Sequence, residues 1–155
     1  MNYTDDSDVK MRPRNMEFIE LVSLLEKEHR DVKTVMSGLS ELINREGVSD
    51  LKDRLMSLRE VLLQHIVDEE SSVLRILINR YGREGSRDAL EVFREHVDIL
   101  GLLNELEASV LSNRQTSAKV RDKLDALMSE HFRKEDDTIF PWAIKTHLSG
   151  SGEGA

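Results

Sequence analysis

The chain has 155 residues, 34% charged and 39% hydrophobic, and a formal net charge of −8; this suits one soluble, long-helix domain with a single core and argues against nucleic acid as a partner. There is no cysteine, which excludes disulfides, thiolate metal sites, iron–sulfur clusters and a cysteine nucleophile. No apolar run reaches the roughly 18 residues of a membrane span, and Met1–Asn15 is polar, without the apolar stretch of a signal peptide, so the expectation is a cytoplasmic protein that does not engage a membrane.

Residues 1–14 carry Asp5, Asp6, Asp8 and Pro13 and read as a flexible lead-in, residues 15–148 as the helical domain, and the Ser/Gly-rich Ser149–Ala155 as a flexible tail. The first amphipathic segment runs from about Met16 to Arg45, with Phe18, Leu21, Val22, Leu25, Val32, Met36, Leu39 and Ile43 at helical spacing. Gly47 is its stop, and Ser49 or Asp50 the next N-cap. The second segment, about Leu51 to Tyr81, has Leu55, Leu58, Val61, Leu62, Val73 and Leu77 on its stripe and ends at Gly82, with Ser86 as the following cap. The third, about Arg87 to Ser112, carries Leu90, Phe93, Ile99, Leu103 and Leu106; Asn113–Thr116 make the turn. The fourth, about Ser117 to His147, carries Val120, Leu124, Leu127, Met128, Ile139 and Phe140, and Pro141 should kink it or start a short final helix. Short connections predict an all-α, antiparallel, up-down-up-down four-helix bundle.

Four of the five histidines fall one to a segment: His29, His65, His96 and His131. His29 and His65 are each 18 residues from Gly47, and His96 and His131 are 17 and 18 from Asn113. Equal distances from a turn mean equal heights in antiparallel helices rising ~1.5 Å per residue, so the four should share one level. At i−4 they have Leu25, Val61, Val92 and Leu127, and at i−7 Val22, Leu58, Ala89 and Leu124, all apolar. Each histidine therefore belongs to the core-facing stripe.

Glu69 and Glu135 stand four residues after His65 and His131 and share that face. A buried charge without a partner costs several kcal/mol, and a cation would supply the partner. The chain also repeats: His65 to His131 and Glu69 to Glu135 are each 66 residues apart, His29 to His96 67. Glu28-His29-Arg30-Asp31-Val32 echoes Glu95-His96-Val97-Asp98-Ile99, and Glu70, Val73 and Leu74 fall opposite Asp136, Ile139 and Phe140. Each half offers His, then His-x-x-x-Glu, which predicts two facing half-sites and two metals bridged by the glutamates. Each metal would see two nitrogens and two oxygens, leaving about two octahedral positions for a bridging oxo or hydroxo group and an exchangeable ligand. Imidazole and carboxylate without sulfur suit iron first and manganese second; structural zinc prefers a closed four-coordinate site.

His29, His65-x-x-x-Glu69, His96 and His131-x-x-x-Glu135 resemble the hemerythrin-like HHE cation-binding family, over roughly Met16–His147, and Ile139-Phe140-Pro141 resembles the segment after that family's last ligand. The resemblance implies a four-helix bundle holding a non-haem di-iron centre. The oxygen carriers of the family have a second histidine where Leu100 stands, and an aspartate five residues after the last histidine, where Asp136 stands as a rival to Glu135. The set is closer to the symmetric four-His, two-Glu site of the family's iron-centre repair branch, whose cysteine-bearing N-terminal domain has no counterpart in this cysteine-free chain. One imidazole fewer leaves more open coordination, which points to reaction or exchange rather than stable oxygen carriage. Oxygen, nitric oxide or peroxide as ligand, and storage or donation of iron, all fit; the alternative is a non-redox interaction module in which the metal is structural.

Several residues read as bystanders. His147 points off the stripe as a solvated histidine, and Glu26 as a surface residue. Glu28, Glu95 and Glu130 each precede a histidine and could support the ligands from behind, but the i−1 position turns away by about 100°, which favours a flanking or solvated role. Trp142 should cap the core, Tyr81 should lie far from the ligand layer, and the methionines fill core space.

Overall fold

The computed structural model describes residues 11–45 and 48–153, and the described residues are helical almost throughout. The first helical run, α1, is Phe18–Asn44. The second comprises α2 (Val48–Asp68), a π-helical segment (Glu69–Leu74) and α3 (Arg75–Gly85). The third is α4 (Arg87–Ser109), and the fourth comprises α5 (Arg114–Lys134), a second π-helical segment (Glu135–Ile139) and α6 (Phe140–Glu153). Run one packs on runs two and four, and run three on runs two and four, so the four surround a common interior.

The ends obey local chemistry. Glu17 caps α1, its carboxylate accepting from the Ile19 and Glu20 amides at 2.8 and 3.3 Å. Asn113 caps α5 by accepting from the Thr116 amide at 3.1 Å, so this helix starts three residues before the expected Ser117. Gly82 takes φ +69°, a conformation that breaks α3 with a kink at the position where the sequence expects a stop, three residues before the element ends at Gly85. Ser86 occupies the N-cap position of α4 without a capping bond; its hydroxyl donates back to the Gly82 carbonyl. The α2 helix already begins at Val48, so Ser49 and Asp50 lie in its first turn, and the expected stop at Gly47 lies outside the described residues.

Neither π segment was expected, and both have the same cause. His65, Glu69, Val73 and Leu77 are all buried, as are His131, Glu135, Ile139 and Ala143. Three steps of four span 12 residues, whereas three α-helical turns take about 10.8. Inserting one residue as a π turn keeps all four positions facing inward. The carbonyl of Asp68, at the first insertion, accepts from the Ser71 hydroxyl at 3.3 Å and from that of Ser72. At the second, the Phe140 amide bonds back five residues to Glu135, and Pro141, which has no amide to donate, stands in the first turn of α6.

The core has two parts. One is built around Met36, Leu39, Leu55, Leu58, Ile99, Leu103, Leu124 and Phe132. The other holds Leu21, Leu25, Val73, Leu77, Ala89, Val92, Ile139 and Phe140. Between them lies a buried polar layer. One stripe position departs from expectation: Val61 is 40% exposed, whereas its neighbour Leu62, on the same expected stripe, is buried.

The termini differ from the simple reading as well. Residues 1–10 lie outside the described residues, but Met11–Arg14 is tied down: the Arg14 amide donates to Asp68 at 2.7 Å, and Gln64 donates to the Arg12 carbonyl at 2.8 Å. Helix α6 continues past Leu148 as far as Glu153. No helix among the described residues is long and apolar enough to cross a membrane.

Candidate metal centre

All six residues singled out by spacing meet in the polar layer. His29, His65, His96 and His131 are 1–2% exposed, and Glu69 and Glu135 are 0% exposed. Their ligating atoms form two groups, His29–His65–Glu69–Glu135 and His96–His131–Glu69–Glu135, each with its atoms within 4.8 Å of one another. The glutamates belong to both groups, one oxygen to each. Glu69 Oε2 lies 3.3 Å from His65 Nε2, while Oε1 lies 2.8 Å from His96 Nε2. Glu135 Oε1 lies 3.0 Å from His29 Nε2, while Oε2 lies 3.3 Å from His131 Nε2. His29 Nε2 and His65 Nε2 stand 3.2 Å apart.

The outer nitrogens are equally ordered, and here the expectation for the flanking carboxylates is corrected. Glu28 accepts from His65 Nδ1 at 2.9 Å, and Glu95 from His131 Nδ1 at 2.6 Å. The 100° turn that takes each glutamate off its own histidine's face aims it at the outer nitrogen of the next helix's histidine. Glu70 accepts from His96 Nδ1 at 2.7 Å, and Asp136 from His29 Nδ1 at 2.8 Å. The four contacts form a closed ring: run one supports run two, two supports three, three supports four, and four supports one. With Nδ1–H committed to a carboxylate, each Nε2 is the nitrogen that would offer its lone pair inward to a bound cation.

Glu135, buried at the centre, belongs to both groups and Asp136 to neither; Asp136 is partly exposed and meets His29 Nδ1. The roles of Glu70 and Asp136 were missed, although the internal repeat had set them opposite each other, as it had Glu28 and Glu95. Glu130 is exposed and paired with Arg133, as expected. Leu100 is half-buried and joins neither group. His147 lies outside the site but is half-buried rather than solvated, stacked on Phe18 with centroids 4.5 Å apart. Trp142 packs on the second core part and against Tyr81. Phe132 closes the layer on the other side, its ring stacked on His29 at 4.0 Å.

The electrostatics test whether these residues fit a cation. Glu69 Oε2 and both carboxylate oxygens of Glu135 are buried without a hydrogen-bond partner, although buried polar atoms are otherwise satisfied almost without exception. Burial, then the adjacent charge of Glu69, pushes the Glu135 carboxyl well above the usual carboxylate range. Burial also opposes the charge of Glu69, yet neighbouring Glu135, His65 and His96 hold it well below that range. At His65 burial disfavours the imidazolium, but the carboxylates of Glu28 and Glu69 on either side of the ring override it and lift the imidazole to about 9. Bonds to Glu69 and Glu70 do the same at His96, also to about 9. Burial would raise Glu95, but His131 and Lys134 bring it down to about 2. Without metal, the surroundings thus favour protons on His65, His96 and Glu135, within a donor set of four nitrogens and four oxygens that suits cations. Buried His/Glu clusters of this kind could hold metal. Comparison with protein-family models, with curated proteins and with solved structures finds no match.

Proposed function

We propose that the chain is a non-haem di-iron protein with the up-down-up-down bundle of the hemerythrin-like HHE family, which binds or reacts with oxygen, nitric oxide or peroxide, or stores and donates iron. One observation carries the reading: two groups of two imidazole nitrogens share two fully buried glutamates, with one oxygen of each glutamate on each side. That arrangement has little use in a metal-free core, where it leaves carboxylate oxygens unpartnered.

His29 and His65 would hold one ion, His96 and His131 the other, and Glu69 and Glu135 would bridge. Two iron ions would supply redox chemistry and open coordination positions. The protein's own contribution is to orient and enclose. Glu28, Glu70, Glu95 and Asp136 fix the imidazole tautomers, and Phe132 and Phe140 lie against His29 and wall off that face. Ligands that are 0–2% exposed leave room for a diatomic molecule or peroxide rather than an organic substrate. With Leu100 where the oxygen carriers place a histidine, the two half-sites are alike in donor type, which favours reaction or iron exchange over stable carriage.

Anaerobic loading with iron(II), metal analysis and an optical spectrum on admission of air test the reading. Two ions per chain and near-ultraviolet and visible absorption that responds to oxygen or nitric oxide are expected. A single ion per chain, or zinc in a closed site, overturns it.

A further inference from the structure

The two halves of the site are supported by different parts of the chain. In the second half Glu95 accepts from His131 Nδ1 with Oε1 and from Lys134 with Oε2, the latter at 2.7 Å. Lys134 belongs to the same helix as His131. In the first half Glu28 accepts from His65 Nδ1 with Oε1, and its Oε2 also takes a cation, but not from helix α2. The shift of 66 residues that carries His65 onto His131 sets Asp68 opposite Lys134. Asp68 is an acid, fully buried, and would add a negative charge beside Glu28. The missing cation arrives from outside the bundle: Arg14 donates to Glu28 Oε2 at 2.7 Å, and its Nε lies 3.0 Å from Asp68 Oδ2. The Arg14 amide donates to Asp68 as well, and Gln64 holds both Asp68 and the Arg12 carbonyl.

We infer that Arg14 is a positioning residue for one half-site alone: docking of the extended segment Met11–Arg14 orients His65 through Glu28, so the metal held by His29 and His65 is the one that exchanges when the segment lifts. The inference rests on the two-metal reading above. The segment is non-helical as far as Glu17 and is tied to the bundle by these contacts; without helical hydrogen bonds of its own, it opens more readily than a helix interior. The half-site of His96 and His131 takes its cation from a helix interior and does not share this dependence.

Full-length wild type, Arg14→Ala and Lys134→Ala are titrated anaerobically with iron(II) by calorimetry, and nitrogen-15 histidine spectra are recorded on the metal-free proteins. Mutating a group that orients a metal-bound histidine typically lowers affinity 10- to 100-fold. Arg14 acts one step further out, so a loss of about tenfold is expected in Arg14→Ala, for one equivalent only. The His65 ring-nitrogen signals should shift while those of His131 stay. Lys134→Ala should do the reverse. Equal weakening of both equivalents in Arg14→Ala, or unchanged His65 signals with an unchanged titration, overturns the inference alone. Fewer than two ions bound by wild type sinks the two-metal reading and the half-site dependence with it, while the metal-free spectra still decide whether Arg14 reaches His65.

Discussion

Replacing Glu135 by glutamine separates a cation site from a buried ion-pair network, because the two predict opposite signs in the metal-free protein. Glu135 is fully buried, its oxygens lack hydrogen-bond partners, and its nearest charged neighbour includes another carboxylate, Glu69. If its purpose is to hold metal, the metal-free chain bears the cost, and Glu135→Gln relieves it. Replacing buried ionic groups by uncharged ones of similar volume is often neutral or stabilising, by up to about 1–4 kcal/mol. Because the Glu135 carboxyl already holds its proton well above the usual range, the gain at neutral pH should fall at the low end, about 1 kcal/mol. For a chain of this size that is roughly 2–4 °C in Tm. Metal should then reverse the order. At a hundredfold excess over Kd each ion adds about 2.7 kcal/mol, so two ions should raise the wild-type Tm by roughly 10–20 °C. Glu135→Gln should lose most of that increment. Thermal melts of both proteins with and without iron(II), under anaerobic conditions, read both effects. Destabilisation of metal-free Glu135→Gln by the 3–5 kcal/mol of a broken buried pair would show that Glu135 serves His29 and His131 as a structural counter-ion, and would refute the reasoning.

Other substitutions and conditions give further checks. His65→Ala and His131→Ala should each reduce the iron bound per chain in metal analysis, whereas His147→Ala, stacked on Phe18 away from the site, should leave it unchanged. The metal-free protein should lose stability as pH rises from 6.5 to about 9, because His65 and His96 are lifted to about 9 and their protonated forms stabilise the fold only below that range. At 1.36 kcal/mol per unit, and with both histidines sharing Glu69, the loss should be about 3–5 kcal/mol; urea titrations across this range should show it, and the metal-loaded protein should not follow. Phe132→Ala should cost about 3–5 kcal/mol in denaturant unfolding, since a large core side chain is deleted, and should also loosen His29, seen as weaker loading.

How much of this was legible in the sequence differs from residue to residue. The four central histidines are, because three quantities agree for them: height from the turns, the apolar neighbours at i−4 and i−7, and the repeat of 66–67 residues; the two glutamates follow from their i+4 spacing to His65 and His131 and from the same repeat. Val61 was misplaced because a stripe read at ideal pitch does not tell whether a boundary residue or its neighbour Leu62 turns inward. Glu28 and Glu95 are not legible from their own helix, because their partners, His65 and His131, are on the next one. Arg14 carries no periodic signal at all; an extended segment reveals its partners only once the bundle it lies against exists. The π segments were within reach, since buried positions at i, i+4, i+8 and i+12 overrun an α-helix by about one residue.

That overrun ties the fold to the site. In each π segment the first residue is the central glutamate and the second is a carboxylate that supports a histidine on the following run: Glu69 and Glu70 in one, Glu135 and Asp136 in the other. Adjacent residues on a helix point about 100° apart, so one faces the interior while the next reaches sideways, and the inserted residue restores the apolar face beyond. The same two-residue unit thus provides a buried central carboxylate and a support, and its duplication closes the ring of four histidine–carboxylate contacts. The ring is symmetric in its acceptors but not in the cations behind them, because Asp68 stands where Lys134 does in the other half. A duplicated site would be expected to keep that lysine if both halves had the same task. Its replacement by an acid that depends on Arg14 places the difference between the halves at the outer edge of the site, where it changes how firmly one imidazole is held without altering any of the six central residues.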